Sequence, residues 1–221
     1  MNQAEWIELF KTRGAFCIRN SNPRSGHVEL SGGLHSNGFI QGQAIIQSAK
    51  TIDRAAEDLV CKAESMGLMV GDVDRVIGPA MGAINISGDI ARHISFRSEL
   101  FDCLSGYTEK AYDGARKYMV LRQVCIRRAE RIVLCDDVLS TGLNVRLAAE
   151  AILRAYGIVL PFVFVLANRS GLQEIDGRRI VSLIDYPMKT WEAGKCPLCA
   201  AGSKVFSPDS AEILAKLNWE D

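Results

Sequence analysis

The sequence predicts an α/β fold with a mostly parallel central sheet, because short apolar segments alternate with helical ones. Residues 75–77, 132–135 and 162–167 are apolar runs typical of strands buried on both faces. The first two runs each end in a turn that contains glycine, and each turn precedes a segment with helical spacing. This order predicts strand–turn–helix units within a single domain spanning residues 1–221.

The remaining elements follow from capping and spacing. Asn2 and Glu5 form a capping-box pattern that predicts an opening helix. Apolar spacing predicts helices over 51–66, from the Gly82 turn to about His93, and after Gly142, with a closing helix over 207–217. Pro161 is expected only at the start of the strand over 162–167.

Composition excludes several classes of protein. The 221 residues include 26 Lys and Arg against 26 Asp and Glu, so the formal net charge is zero and a nucleic-acid binder is disfavoured. No apolar run approaches the ~20 residues of a membrane span. Residues 1–10 lack the layout of a signal peptide, so we expect a cytoplasmic location.

Seven cysteines are present, and Cys196-Pro197-Leu198-Cys199 alone among them has the spacing of metal ligands. A structural zinc site needs four ligands, and the histidines lie far away in sequence. We therefore expect a turn with two free thiols and no metal ligands in the chain. A zinc site shared between two subunits is the alternative.

The strongest chemical signal lies at residues 133–142. An apolar strand is predicted to end in Asp136 and Asp137, and Ser140-Thr141-Gly142 then leads into a helix. Ligands of open α/β sheets bind at this edge, and free N–H groups at a helix start form a phosphate cradle. The alternative, that an aspartate merely caps the helix, is less favoured because the acidic pair occurs together with the hydroxyl turn.

This stretch resembles the phosphoribosyl pyrophosphate (PRPP) signature of the type I phosphoribosyltransferases, with Asn144 where a small or hydroxyl residue or Arg is usual. The resemblance implies a sheet flanked by helices, with a small hood from about 1–45 plus 185–221. In the family the acidic pair holds the ribose hydroxyls and the turn holds the 5′-phosphate. The implied PRPP-binding residues are Ala80, Met81, Gly82, Asp136, Asp137, Val138, Leu139, Ser140, Thr141, Gly142, Leu143 and Asn144.

Further segments are similar to orotate phosphoribosyltransferases. Residues 30–41 resemble their N-terminal hairpin, 77–84 their pyrophosphate loop, and 107–122 the arm that bears a mobile loop. The implied base-binding residues are Phe39, Ile40 and Arg169. Leu30 and Asn168 depart from the family pattern, which has Lys and Asp there.

The resemblance implies transfer of phosphoribosyl from PRPP to orotate, with Mg²⁺ bound to PRPP. The implied catalytic residues are Lys110, Arg116, Lys117 and Asp137. It also implies a homodimer in which residues 107–119 serve the neighbouring site. Two alternatives stay open: a phosphoribosyltransferase for a purine or another pyrimidine, and a PRPP-sensing regulatory protein without turnover.

Overall fold

The computed structural model describes residues 1–19, 25–30, 32–98 and 101–207. Its helices are α1 (Gln3–Thr12), α2 (Gln43–Ile46), α3 (Ala49–Ser65), α4 (Ile84–Arg97), α5 (Leu143–Arg154) and α6 (Pro197–Ala200). Its strands are β1 (Phe16–Ile18), β2 (His27–Glu29), β3 (Leu34–Ser36), β4 (Gly38–Ile40), β5 (Arg75–Pro79), β6 (Leu104–Asp113), β7 (Arg116–Val120), β8 (Arg131–Leu139), β9 (Ile158–Asn168), β10 (Glu174–Ile175), β11 (Arg178–Asp185), β12 (Thr190–Glu192) and β13 (Val205–Phe206).

A seven-stranded sheet with the order β10-β11-β9-β8-β5-β6-β7 forms the centre of the protein. The pairs from β11 through β6 are parallel, and the two edge pairs are antiparallel. Val133 and Cys135 of β8 pack into a core with α3 and α4, whereas Ile132 and Leu134 pack into a core with α5. Helices therefore cover both faces, and the predicted α/β class is confirmed.

A smaller sheet joins the two ends of the described chain. Its order is β12-β3-β2-β13, and we call it the hood sheet. Trp191 of β12 pairs with His35 of β3, and Val205 of β13 pairs with His27 of β2. The predicted hood boundaries at 1–45 and 185–221 stay a prediction, although strands from both segments meet in this sheet.

The helix predictions for the described residues are confirmed, and both capping-box hydrogen bonds between Asn2 and Glu5 are present. The predicted closing helix at 207–217 lies almost entirely outside the described residues. No helix in the described ranges has the length and apolar character needed to cross a membrane.

Three predicted elements differ in the structure. Strand β8 continues beyond the aspartates to Leu139, because β9 supplies pairing partners as far as Asn168. Pro161 lies inside β9 rather than at its start, next to a register irregularity opposite residues 132–134 where its missing N–H is tolerated. Residues 107–119 form a β6–β7 hairpin rather than a loop, with five registered pairs from Glu109 to Asp113.

Candidate functional site

A cavity of about 680 Å³ lies at the carboxyl end of β8, between the central sheet and the residues of β3 and β4. It brings together predicted residues from the segment at 39–40 and from residues 136–169. Those that line it are Phe39, Ile40, Asp136, Asp137, Val138, Ser140, Thr141, Leu143, Asn144 and Arg169. The predicted residues Ala80, Met81, Gly82, Lys110, Arg116, Lys117, Leu139 and Gly142 do not line this cavity, and they are described below.

The acidic pair lies where β8 extends past β5. Asp136 is buried, and its Oδ1 accepts a hydrogen bond from the Asp137 N–H at 2.9 Å. Burial, and then the charge of Asp137, raise the pKa of Asp136 well above its ordinary value, while Lys110 acts in the opposite sense. A cation or hydrogen-bond donor that binds beside the pair would favour the ionised form. The pair is thus suited to a ligand that supplies hydroxyl donors.

The Asp137 carboxylate is held between two glycines. A Cβ atom on Gly42 would lie 2.6 Å from Asp137 Oδ2, and a Cβ atom on Gly82 would lie 2.8 Å from the same oxygen. Any side chain at either position would therefore displace the carboxylate or its neighbour. Glycine allows this close approach, so Gly82 positions Asp137 even though it does not line the cavity.

In the turn after β5, the predicted contact of Ala80 with PRPP is wrong for its N–H group. The Ala80 N–H donates to the Thr108 carbonyl at 2.7 Å, so it is not available to a pyrophosphate group. The N–H groups of Met81 and Gly82 donate to no other residue in the described ranges. The Met81 side chain is 80% exposed. The usable donors of this turn are therefore those of Met81 and Gly82.

The start of α5 lies where the sequence predicts a phosphate cradle. Within the part of the chain that the structure describes, the N–H groups of Ser140, Thr141, Gly142 and Asn144 have no hydrogen-bond acceptor. Gly142 is the N-cap residue, with a φ of 75°, so neither aspartate caps this helix. The orphan donors and the helix dipole together favour a phosphate group. The predicted role of Leu139 in PRPP binding is corrected, because its side chain is buried in the core around α5.

The β6–β7 hairpin directs two lysines toward this cradle. Lys110 pairs with Met119, and Tyr112 pairs with Lys117, so both lysines share the face of Met119, which packs against α5. Lys117 Nζ donates to Asn144 Oδ1 at 2.7 Å. Burial, and then the charge of Lys110, lower the pKa of Lys117. Asn144, the departure from the signature, thus holds Lys117 at the cradle of the same chain.

Arg116 points in a different direction from Lys117, which follows it in the sequence. Successive residues of a strand point to opposite faces, so Arg116 points away from the face that carries Lys117. Its side chain is exposed near the end of the hairpin, where it pairs in register with Asp113. Arg116 therefore does not reach the cavity of its own chain.

Arg169 is the buried cation of the cavity. It is 3% exposed, and one of its terminal nitrogens donates to Ser36 Oγ. No carboxylate within the described ranges forms an ion pair with it. Burial lowers the pKa of Arg169 to about 10, so the guanidinium remains charged at neutral pH. A buried charge that finds no counter-ion among the residues described here favours an anionic ligand.

No family model matches this chain. It is 30% identical to the orotate phosphoribosyltransferase of Desulforamulus reducens over 213 residues, which cover 96% of this chain and 100% of that protein. The enzyme of the same name from Acidithiobacillus ferrooxidans is also 30% identical, over 95% of this chain and 98% of that one. The chain belongs to the orotate phosphoribosyltransferase family. The resemblance inferred from the motifs is thereby confirmed.

Solved structures support the same fold for this family member. The crystal structure of orotate phosphoribosyltransferase from Aeropyrum pernix superposes with a TM-score of 0.61 and 23% identity, over 81% of this chain and 92% of that one. A phosphoribosyltransferase from Corynebacterium diphtheriae superposes with a TM-score of 0.56 and 12% identity, over 83% of this chain and 95% of that one.

One departure from the orotate phosphoribosyltransferase pattern has a local explanation. Asn168 Nδ2 donates to Asp185 Oδ1 at 3.1 Å and to the Leu172 carbonyl at 2.8 Å. An aspartate at position 168 could not donate these bonds, and its charge would face Asp185. Asn168 thus shapes the turn after β9 and does not line the cavity.

Sequence reasoning missed several residues that line the site of this orotate phosphoribosyltransferase family member. They include Gln41, Gly42, Gln43 and Arg146. Gln41 is the last residue of the segment 30–41 that resembles the family's N-terminal hairpin, so this resemblance could have identified Gln41 as a site residue. Arg146 lies one turn into α5, where its guanidinium donates to the Thr141 carbonyl and pairs with Asp176.

Proposed function

We propose that this protein transfers the 5-phosphoribosyl group from PRPP to orotate, giving orotidine 5′-phosphate and pyrophosphate. The observation that carries the proposal is the placement of Arg169. A buried guanidinium, for which the described residues supply no counter-ion, lies in the same cavity as the acidic pair and the start of α5. One cavity thus offers separate places for a phosphorylated sugar and for an anionic base.

The sugar phosphate fits the β8–α5 side. Asp136 and Asp137 accept hydrogen bonds from the ribose hydroxyls, and the N–H groups at 140–144 hold the 5′-phosphate. The pyrophosphate lies toward the turn at Met81 and Gly82, because Gly82 is packed against Asp137. The contact of Lys117 with Asn144 supports a place for the lysine beside these anionic groups.

The reaction breaks the bond from ribose C1 to pyrophosphate and forms a bond from C1 to the base nitrogen, which releases its proton. Pyrophosphate leaves with the electron pair of the broken bond. Positive charge develops on the ribose, so catalysis consists mainly of positioning and charge stabilisation. Lys110 and Lys117 stabilise the charge of the leaving group, and Asp137 fixes the ribose between Gly42 and Gly82.

Magnesium fits the same arrangement. This ion is usually held by one or two carboxylates together with substrate phosphates, and the adjacent Asp136 and Asp137 offer those carboxylates. When bound, Mg²⁺ supplies neutralisation of the pyrophosphate charge. The protein's own part is to offer oxygen ligands next to the donors of the cradle.

The base fits between β3, β4 and β9. Arg169 forms a charge-assisted contact with the orotate carboxylate, and Ser36 positions the guanidinium through its hydroxyl group. Phe39 and the buried Ile40 provide apolar walls. Adenine and hypoxanthine carry no carboxylate, so they leave the Arg169 charge without a partner.

We also propose a homodimer. Lys110 and Lys117 act on the site of their own chain, because Lys117 already contacts Asn144 there. Arg116, exposed near the end of the hairpin, is the cation that would serve the neighbouring site. The expectation that residues 107–119 as a whole act across the dimer is therefore narrowed to this end of the hairpin.

The test measures pyrophosphate release from PRPP and Mg²⁺ with orotate, uracil, adenine or hypoxanthine. We expect the wild-type protein to release pyrophosphate with orotate and with none of the other three bases. The Asp137→Asn variant should release none. Release with a purine and none with orotate would assign another base. PRPP binding without release for any base would indicate a sensing protein.

A further inference from the structure

Four metal-binding side chains converge behind the hood sheet, outside the cavity. They are His27 of β2, His35 of β3, Cys196 just before α6, and Cys199 within α6, and one ligand atom from each lies within 4.8 Å of all the others. The expectation of two free thiols at Cys196 and Cys199 rests on the distance of the histidines along the sequence, but the fold brings His27 and His35 next to both cysteines. The alternative of a site shared between subunits is unnecessary, because all four residues belong to one chain.

The distances match those around a tetrahedral ion. His27 Nε2 lies 3.1 Å from His35 Nδ1, 3.5 Å from Cys196 Sγ and 3.4 Å from Cys199 Sγ, and Cys199 Sγ lies 3.2 Å from His35 Nδ1. Tetrahedral zinc, at about 2.3 Å from sulfur and about 2.0–2.1 Å from nitrogen, separates its ligand atoms by roughly 3.3–3.8 Å. The cluster is therefore nearly the size of a zinc shell.

A hydrogen-bond relay sets the tautomer of His27. Ser203 Oγ donates its hydroxyl proton to the Ser25 carbonyl at 2.7 Å, so it accepts from His27 Nδ1 at 3.0 Å. With the proton on Nδ1, the lone pair of Nε2 points toward the two sulfurs and His35. Histidines that bind metals are usually oriented by such a second hydrogen bond.

The cysteine spacing brings both sulfurs to one place. Cys196 is the N-cap residue of α6, and Pro197 occupies the first helical position with a preset φ angle. One short turn later, Cys199 reaches the same side as Cys196. Two ligands from a Cys-x-x-Cys turn and two from a hairpin are a common composition of structural zinc sites.

Among the described residues, the apolar core beside the hood sheet is small. Its strands are two or three residues long, and the apolar cluster beside it has Cys17 and Val28 as its buried members. Such a small core supplies little stability, and small folds often gain it from a metal. The ion would join β2 and β3 to the segment around α6, which is separated from them by more than 150 residues.

We propose that His27, His35, Cys196 and Cys199 bind one structural Zn²⁺ per chain. The ion links the strands of the hood sheet and fixes the position of β3. Ser36 of β3 accepts a hydrogen bond from Arg169 on the base side of the cavity. The four ligands fill a tetrahedral shell, so the ion is structural and takes no part in phosphoribosyl transfer.

The first experiment measures metal content by mass spectrometry in protein purified without a polyhistidine tag. We expect one zinc per chain in the wild type and in a Cys61→Ser, Cys125→Ser control, whose cysteines are exposed and lie outside the cluster. A Cys196→Ser, Cys199→Ser variant should contain none. Wild-type protein expressed with added zinc yet lacking it, or a cluster variant that retains it, would overturn the proposal.

The second experiment uses wild-type protein alone, so it does not depend on whether the variant folds. Zinc is removed with a chelator, and Co²⁺ is added. Strong visible bands of tetrahedral cobalt, with thiolate-to-cobalt charge transfer in the near ultraviolet, are expected. Weak bands of octahedral cobalt would contradict the assignment. Neither experiment uses enzyme activity, so the zinc proposal and the proposed function can fail separately.

Discussion

The cradle at residues 136–144 and the hood sheet form opposite sides of one cavity, but they are assembled in different ways. The cradle is one continuous segment, in which a buried strand leads through a turn into α5. The hood sheet joins strands that are far apart in the chain, and Cys196, which contacts His27 of β2 from the start of α6, lies 169 positions from it. A continuous motif can be identified from the sequence, whereas a site built from distant segments needs the tertiary structure.

Each region also contacts a residue from another segment of the cavity wall. Gly42, which follows β4, lies against Asp137 of the cradle, and Ser36 of the hood sheet accepts a hydrogen bond from Arg169 after β9. These contacts place the sugar side and the base side in a fixed relation. The account therefore predicts that changes in each region alter the binding of one substrate.

The largest effect is expected from Asp137→Asn. The variant loses a charged acceptor for the ribose hydroxyls, so PRPP affinity should fall about 100-fold. Calorimetric titration with Mg²⁺ and PRPP measures this change, and the unfolding temperature should stay close to that of the wild type. The control is Asp102→Asn, which removes an exposed carboxylate. Unchanged PRPP affinity in Asp137→Asn would break the assignment of the cradle.

Gly82→Ala should weaken PRPP binding by about 10-fold, because the added methyl group would lie 2.8 Å from the Asp137 carboxylate. The matched control is Gly71→Ala, where a Cβ atom meets nothing within 4 Å and φ is not positive. Equal affinities for the two alanine variants would show that the close approach of Gly82 to Asp137 has no role in binding.

The hairpin cations give a test of the proposed dimer. Lys117→Ala and Arg116→Ala should each lower kcat by about 10-fold, since each removes one charge from the leaving-group side. Each is mixed with Asp137→Asn under conditions of demonstrated subunit exchange. The Arg116→Ala mixture should recover toward about a quarter of wild-type activity, because half of the dimers are hybrids with one intact site. The Lys117→Ala mixture should not recover, and recovery there would contradict action within one chain.

The smallest effect is expected from Ser36→Ala. The variant removes the hydroxyl that positions Arg169 but keeps the charge, so the KM for orotate should rise about threefold while the KM for PRPP is unchanged. Ser65→Ala, an exposed serine that bonds within its own helix, is the control. A rise in the KM for PRPP without a rise in the KM for orotate would contradict the assignment of Ser36 to the base side of the cavity.

The sequence predicts the order of strand, turn and helix at residues 133–154 because that order is local. The apolar strand, the acidic pair and the turn are adjacent, so their order in the chain is also their order in space. The sequence predicts an end of β8 that is too early, because the extension of the strand depends on pairing with β9. Likewise, the pairing of Ala80 N–H with Thr108 depends on the neighbouring strand β6 and leaves no trace in the local sequence.

The hairpin and the hood show where sequence reasoning fails. Glycines and cations at 107–119 predict a loop, but cross-strand pairs such as Tyr112 with Lys117 hold these residues in strands. The strand pairing is what places Lys117 and Arg116 on opposite faces of the hairpin. The convergence of His27 with Cys199 similarly depends on how β2 and α6 meet, and spacing along the chain gives no measure of it.

The most direct test of the division between the two regions is the pair of Michaelis constants of Arg169→Ala. The account predicts that the KM for orotate rises about 10–100-fold, because a charge-assisted contact with the carboxylate is lost. The KM for PRPP should stay within about twofold of the wild-type value. A KM for PRPP that rises as much as that for orotate, or an unchanged KM for orotate, would contradict the account.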